Sequence, residues 1–253
     1  MNDLPIYIAI TATFLLAGGV KGVIGMGLPT VSLGLLAATL DLTSAMALLL
    51  VPSLVTNLWQ ATSGGHARTI IMRLWPFLLM ATLAIGFGAL ALIYVNPAYL
   101  SILLGTLLII YATLNLSGIS FSVSTRHEKW LGAGVGGING LMTGMTGSSV
   151  VPGVMFLQAI GLPRDVLVQA MGILFTSTTI ALGLALGGSH ILTPELAGIS
   201  ALAVIPAILG MRIGQRVRRL LSELLFRKVF FISVFILGVF IITKTLIIAQ
   251  PFG

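Results

Sequence analysis

The chain has 253 residues, 57% of them hydrophobic and only 8% charged, where a soluble domain carries about 25% charge. Apolar stretches recur from residue 4 to residue 249 and leave no room for a water-soluble domain of ordinary size, so residues 1–253 read as one all-α integral membrane domain. Cys is absent, which excludes disulfide frameworks, thiolate metal sites, iron–sulfur clusters and cysteine nucleophiles, and three scattered His with six carboxylates supply no hydrolytic constellation.

In chain order, Met-Asn-Asp-Leu-Pro comes first; it lacks a basic n-region and no small-residue cleavage site follows, so it is expected to be retained. Residues 4–40 follow, apolar, rich in Gly and too long for one ordinary crossing. Windows of about 20 apolar residues, enough to cross roughly 30 Å of hydrocarbon at 1.5 Å per residue, are clear at 43–61, 74–95 and 99–121. A second over-long, Gly-rich segment covers 130–160, and clear windows return at 166–186, 196–213 and 229–249.

A net charge of +7 would suggest nucleic acid in a soluble protein, but here the basic residues sit in short connections and mark topology instead. Arg68 and Arg73 lie between the first two windows, Arg126 and Lys129 after the third and Arg164 before the fourth; Arg212, Arg216, Arg218, Arg219, Arg227 and Lys228 surround the last connection. If each over-long segment crossed once, the first two pairs and the later charges would fall on opposite sides, against the positive-inside rule. If each enters and returns, as a re-entrant hairpin or two short helices, all of these charges face the cytoplasm. Asp3, Asp41 and Glu195, and both termini, then face the periplasm. Lys244 is left to snorkel from the outer end of the last span, and Lys21 lies within the first hairpin.

The halves resemble each other. GGVKGVIGMG at 18–27 reads against GGINGLMTGMTG at 136–147, followed by Pro29 and Pro152 respectively; Asp41 matches Asp165, and Gly64-Gly65-His66 matches Gly187-Gly188-Ser189-His190. The connection after the first repeat's second span is basic and its counterpart around Glu195 is not. Two inverted repeats are therefore expected, at about 4–121 and 130–249, each a Gly-rich broken or re-entrant helical hairpin plus three transmembrane helices. Broken helices of this kind meet around a central site in many carriers.

On GGVKGVIGMGLPT (18–30), VPSLVTNLWQ (51–60) and GLMTGMTGSSVVPGVMFLQAIGLPRDVLVQAMG (140–172) the sequence resembles the sulfite exporter TauE/SafE family, and the likeness runs through both halves. The resemblance implies a secondary transporter, not an enzyme, that exports a small anion such as sulfite or an organosulfonate across the bacterial inner membrane. The alternatives are an exporter or permease for a small organic carboxylate and a channel-like protein without alternating access. The implied partners are the anionic substrate and the lipid bilayer, with room for a homodimer, and neither nucleic acid nor a cofactor or metal is expected.

A transported oxyanion needs donors that replace its water. Lys21 offers a full positive charge among Gly22, Gly25 and Gly27, where backbone can approach a ligand closely. Many family members carry a small or neutral residue at that place. Asn139 is its repeat equivalent, with Thr143, Gly144, Thr146, Gly147, Ser148 and Ser149 nearby. Asn57 and Gln60 on one apolar span, with Gln169, Thr176 and Ser177 on its counterpart, complete the candidates, interhelical hydrogen bonding being the competing role. Asp41 and Asp165 read as helix caps or dipole partners. His66 and His190 fall on opposite faces of the expected topology and so share no metal.

Overall fold

A computed structural model describes residues 4–119, 121–189, 191–218 and 222–249, which are helical with no strand among them. Asp3, Arg219 and His190 lie outside the described residues. The first half runs α1 (Leu4–Ile24), α2 (Leu28–Thr39), α3 (Leu42–Thr62), α4 (Ala67–Ala89) continued by α5 (Ala91–Tyr94), and α6 (Pro97–Leu116). The second runs α7 (Glu128–Thr146), a π-helical turn (Val150–Val154) leading into α8 (Met155–Ala159), α9 (Arg164–Gly188), α10 (Pro194–Leu202) with α11 (Val204–Val217), and α12 (Glu223–Ala249).

Among the described residues seven segments are long and apolar enough to cross a membrane. Six correspond to the sequence windows, and the seventh is α1. The first over-long segment is thus a 21-residue helix, about 31 Å, followed by a 12-residue one, about 18 Å, rather than two short helices. The window at 99–121 overshoots: α6 stops at Leu116 because Gly118 turns the chain with φ 69°. Helix α4 starts well before its window, so Arg68 and Arg73 sit in its first turns and not in a loop, hydropathy having registered only its apolar part. Asp41 caps α3 by accepting the Ser44 N–H at 2.9 Å, and Asp165 lies in the first turn of α9.

The chain divides into two compact units. One contains residues 1–52, 97–117 and 193–253. In it α1 and α11 pack through small residues on both sides: Gly18 and Gly22 lie on the backbone of Ala207 and Met211, while Gly210 and Gly214 lie on that of Leu15 and Gly19. These are two GxxxG faces in mutual contact, where a single Cβ would collide with the opposing carbonyls. The glycine Gly105 of α6 and Gly238 of α12 meet likewise. Pro52 inside α3 supplies no N–H to the carbonyl of Leu48. Ser200 of α10, fully buried, repairs the gap: its hydroxyl donates to Leu48 O at 2.7 Å and accepts the Val51 N–H at 3.1 Å. Lys244 does more than snorkel, since its Nζ donates to Ala38 O at 2.6 Å and closes the C-terminal turn of α2.

The other unit contains residues 53–96 and 118–192. Its main seam is α4 against α7, where Gly136, Gly140 and Gly144 rest on the carbonyls of Phe77, Ala81 and Ile85, and Gly88 on that of Leu141. Arg73 grips Glu128 with two bonds of 2.7 Å, from Nε to Oε1 and from Nη2 to Oε2, and Nη2 also reaches Ile160 O at 3.5 Å. The Val123 N–H donates to Ala159 O at 2.9 Å. The start of α7 and the end of α8 are therefore tied together at one end of the unit, by an ion pair whose carboxylate is buried.

Candidate functional site

The second hairpin gathers five of the eleven predicted polar residues, Asn139, Thr143, Thr146, Ser148 and Ser149. Gly147 ends α7 in the left-handed region with φ 75°, its N–H bonding Thr143 O at 2.7 Å, which a side chain with Cβ would resist. The chain then runs irregularly to Val151, which is extended at φ −115° and ψ 124°, before helical geometry resumes. Buried backbone this irregular has to be satisfied from within the protein.

Hydroxyls do part of that work. Thr143 Oγ1 donates to Asn139 O at 2.7 Å and lies 2.9 Å from Ser149 Oγ, which reaches Thr178 Oγ1 on α9 at 3.2 Å. Thr178 in turn donates to Leu174 O at 2.9 Å. With the Thr143 and Thr178 hydrogens on carbonyls, the Ser149 proton is shared between its two neighbours and the row is closed. Thr146 Oγ1 donates to Met142 O at 2.7 Å and accepts the Ser148 N–H at 3.3 Å. Thr143, Thr146, Ser148, Ser149 and Thr178 are all buried.

Asn139 differs. It is fully buried, and its Oδ1 accepts the Gly153 N–H at 2.9 Å, which fixes the amide orientation. Its Nδ2 is buried with no hydrogen-bond partner among the described residues. Burial of an amide without a partner costs about 1–3 kcal/mol, so the two hydrogens of Nδ2 await an acceptor. Gly153 has no room for a side chain: a Cβ there would lie 2.7 Å from Asn139 Cγ.

Other candidates are committed to structure. Gln60 Nε2 donates across to Val168 O at 2.6 Å, and Gln169 Nε2 donates back to Ala61 O at 2.8 Å. Gln169 Oε1 also accepts the His66 N–H at 2.9 Å. This reciprocal clamp fixes α3 to α9 and the turn after it. Asn57 Nδ2 bonds Ser53 Oγ at 2.8 Å, and the half-buried Ser177 bonds Leu174 O at 2.9 Å. Gly144 is a packing glycine of the α4 seam, and Gly22 one of the α11 seam, because their Cβ positions are filled by neighbouring backbone rather than by open space.

In the first unit Lys21 is 4% exposed and sits in the last turn of α1. Its neighbour Gly22 abuts Met211, Gly214 and Gln215, so Lys21 is level with the turn of α11 that carries Arg212 and Arg216. The break after it has Gly25 and Gly27 at φ 80° and 102°, and Gly27 opens α2.

Sequence reasoning missed Thr178, Ser200, Gly153 and the Arg73–Glu128 pair. For Ser200 a signal existed, since Pro52 announces an open carbonyl at Leu48. The others depend on partners 14 to 55 residues away, which no local pattern encodes.

The family model for the sulfite exporter TauE/SafE proteins matches residues 10–241. No curated protein and no solved structure matches the chain. A match of that extent, on a helical chain with seven spans of crossing length, makes this protein a member of the sulfite exporter TauE/SafE family, hence a membrane transporter.

Proposed function

We propose that the protein is a secondary carrier that exports a small oxyanion, sulfite or an organosulfonate, across the bacterial inner membrane, and that the second hairpin binds it. The observation that carries this reading is the unpartnered Nδ2 of buried Asn139, held in place by Gly153 beside an irregular Gly/Ser/Thr segment. An amide donor suits a transported anion: it supplies two hydrogens without a full charge, so it replaces water yet releases the cargo. Lys21 adds positive potential in the first hairpin, together with the basic turn of α11. Two inverted repeats with re-entrant hairpins are supported by the matching element order of the halves and by the ties that hold both ends of the second hairpin together.

The test is efflux from proteoliposomes loaded with sulfite, sulfoacetate or lactate under an imposed pH gradient. Asn139→Asp keeps an acceptor for the Gly153 N–H but removes the donor, and is expected to lower sulfur-anion efflux at least tenfold. Asn139 variants that transport like the parent would return this residue to a packing role. Efflux of lactate but of neither sulfur anion would establish the carboxylate alternative, and flux that fails to saturate would establish a channel.

A further inference from the structure

Two apolar grooves lie side by side on the first unit. One, of about 490 Å³, runs along α12 from Phe226 to Phe240 and is walled by Leu16 and Val20 of α1 and Val31 and Leu35 of α2. The other, of about 440 Å³, lies between α1 and α11, from Ala12 to Val23 on one side and Gly210 to Val217 on the other. Leu16, Val20 and Phe226 line both and form the ridge between them. Along α12 the first groove extends about 21 Å at 1.5 Å per residue, longer than the roughly 15 Å acyl layer of one leaflet. Each groove is therefore long and narrow, apolar, and of a size for one hydrocarbon chain.

Cations cluster at one end; at the other, beyond Phe240, the lone Lys244 is bonded to Ala38 O. Val217 and Phe226, which line the grooves where α11 ends and α12 begins, are flanked in sequence by Arg216, Arg218, Arg227 and Lys228, all exposed, with Arg212 one turn earlier. From residue 212 to 228 the sequence holds six cations and the single carboxylate of Glu223. Two parallel slots ending in a common basic rim complement a molecule with two acyl chains and an anionic head.

We propose that this face is a binding site for one anionic diacyl phospholipid, its chains in the two grooves and its phosphate against Arg216 and Arg227. Such a lipid fills the shallow groove between α1 and α11, which small residues such as Gly19 leave open, and neutralises the basic rim.

Native mass spectrometry of the full-length protein, released from nanodiscs made of equal parts phosphatidylglycerol and phosphatidylcholine, tests it. The expected result is one retained phosphatidylglycerol, favoured over phosphatidylcholine by on the order of tenfold or more. Arg216→Gln with Arg227→Gln should abolish that preference. Ser233→Trp, which fills the first groove from an exposed groove position, should lower retention of both lipids. Glycerol phosphate, which has a phosphate but no chains, should not compete. Equal retention of the two lipids, an unchanged preference in the double Gln variant, or displacement by glycerol phosphate would each overturn the proposal.

Discussion

Single polar residues in this protein carry tasks that hydrocarbon makes expensive to leave undone. Ser200 serves a carbonyl that Pro52 has orphaned, and nothing in the bilayer can take its place. Ser200→Ala should therefore destabilise the protein by about 1–2 kcal/mol, whereas Ser200→Thr, which keeps the hydroxyl, should recover part of that; reversible unfolding in mixed micelles gives both values. Lys21 answers to a different measurement. If its charge attracts the anion, Lys21→Gln should weaken anion binding by about one to two decades, the equivalent of roughly 1.5–3 kcal/mol, and Lys21→Arg should keep some of the affinity. Calorimetric titration with sulfite checks this, and a Gln variant with parental affinity would make Lys21 a residue of the α1–α11 seam alone. The sequence singled out Lys21 and Asn139, both buried in the structure, because a cation or amide within a Gly-rich apolar run needs no structure to be noticed. It did not reveal that Gln60 and Gln169 serve each other's helices, because an interhelical clamp and a ligand contact use the same side chains at the same positions.

Between helices the deciding feature is the side of each glycine that meets backbone. Gly136, Gly140 and Gly144 form one stripe on α7 at intervals of four, all facing α4, whereas Gly134 on the same helix has no atom within 4 Å of a Cβ built on it. Gly140→Leu should then separate α4 from α7 and reduce the yield of folded protein, since its Cβ would meet Ala84 Cβ at 2.8 Å. Gly134→Leu should fold and transport as the parent does. Size-exclusion profiles in detergent and efflux rates distinguish these outcomes. Gly144→Leu is for the same reason a poor probe of ligand binding, because loss of transport there would report helix separation. Hydropathy located six of the seven described helices long enough to cross a membrane, since about 20 apolar residues are required whatever the neighbours are. It could not locate the breaks between α4 and α5 or between α10 and α11, where apolar sequence continues across the interruption.

For the chain as a whole the proposed inverted arrangement requires that the helix ends carrying the basic residues share the cytoplasmic face. In the second unit the Arg73–Glu128 pair places the starts of α4 and α7 at one end, and the exposed Trp59, Trp75 and Trp130 lie within a few turns of it on α3, α4 and α7. Trp favours either membrane interface, and the Arg and Lys beside it are what a cytoplasmic boundary requires under the proposed topology. Helix α9 starts at Arg164 and runs for 25 residues, long enough to cross a bilayer, so the proposed arrangement puts its far end at Gly188 on the opposite face. The natural lack of Cys allows one reporter thiol at a time. Ser124→Cys and Ser222→Cys, both exposed, should resist a membrane-impermeant maleimide in intact cells and react after permeabilisation. Gly188→Cys, exposed and with open space around its Cβ, should react in intact cells. If the over-long Gly-rich segments instead crossed once each, three crossings would separate Ser124 from Ser222 and one of these two Cys variants would label from outside. Labelling of either variant in intact cells would overturn the inverted arrangement, and labelling of Ser222→Cys would in addition place the basic rim of the lipid grooves on the periplasmic leaflet.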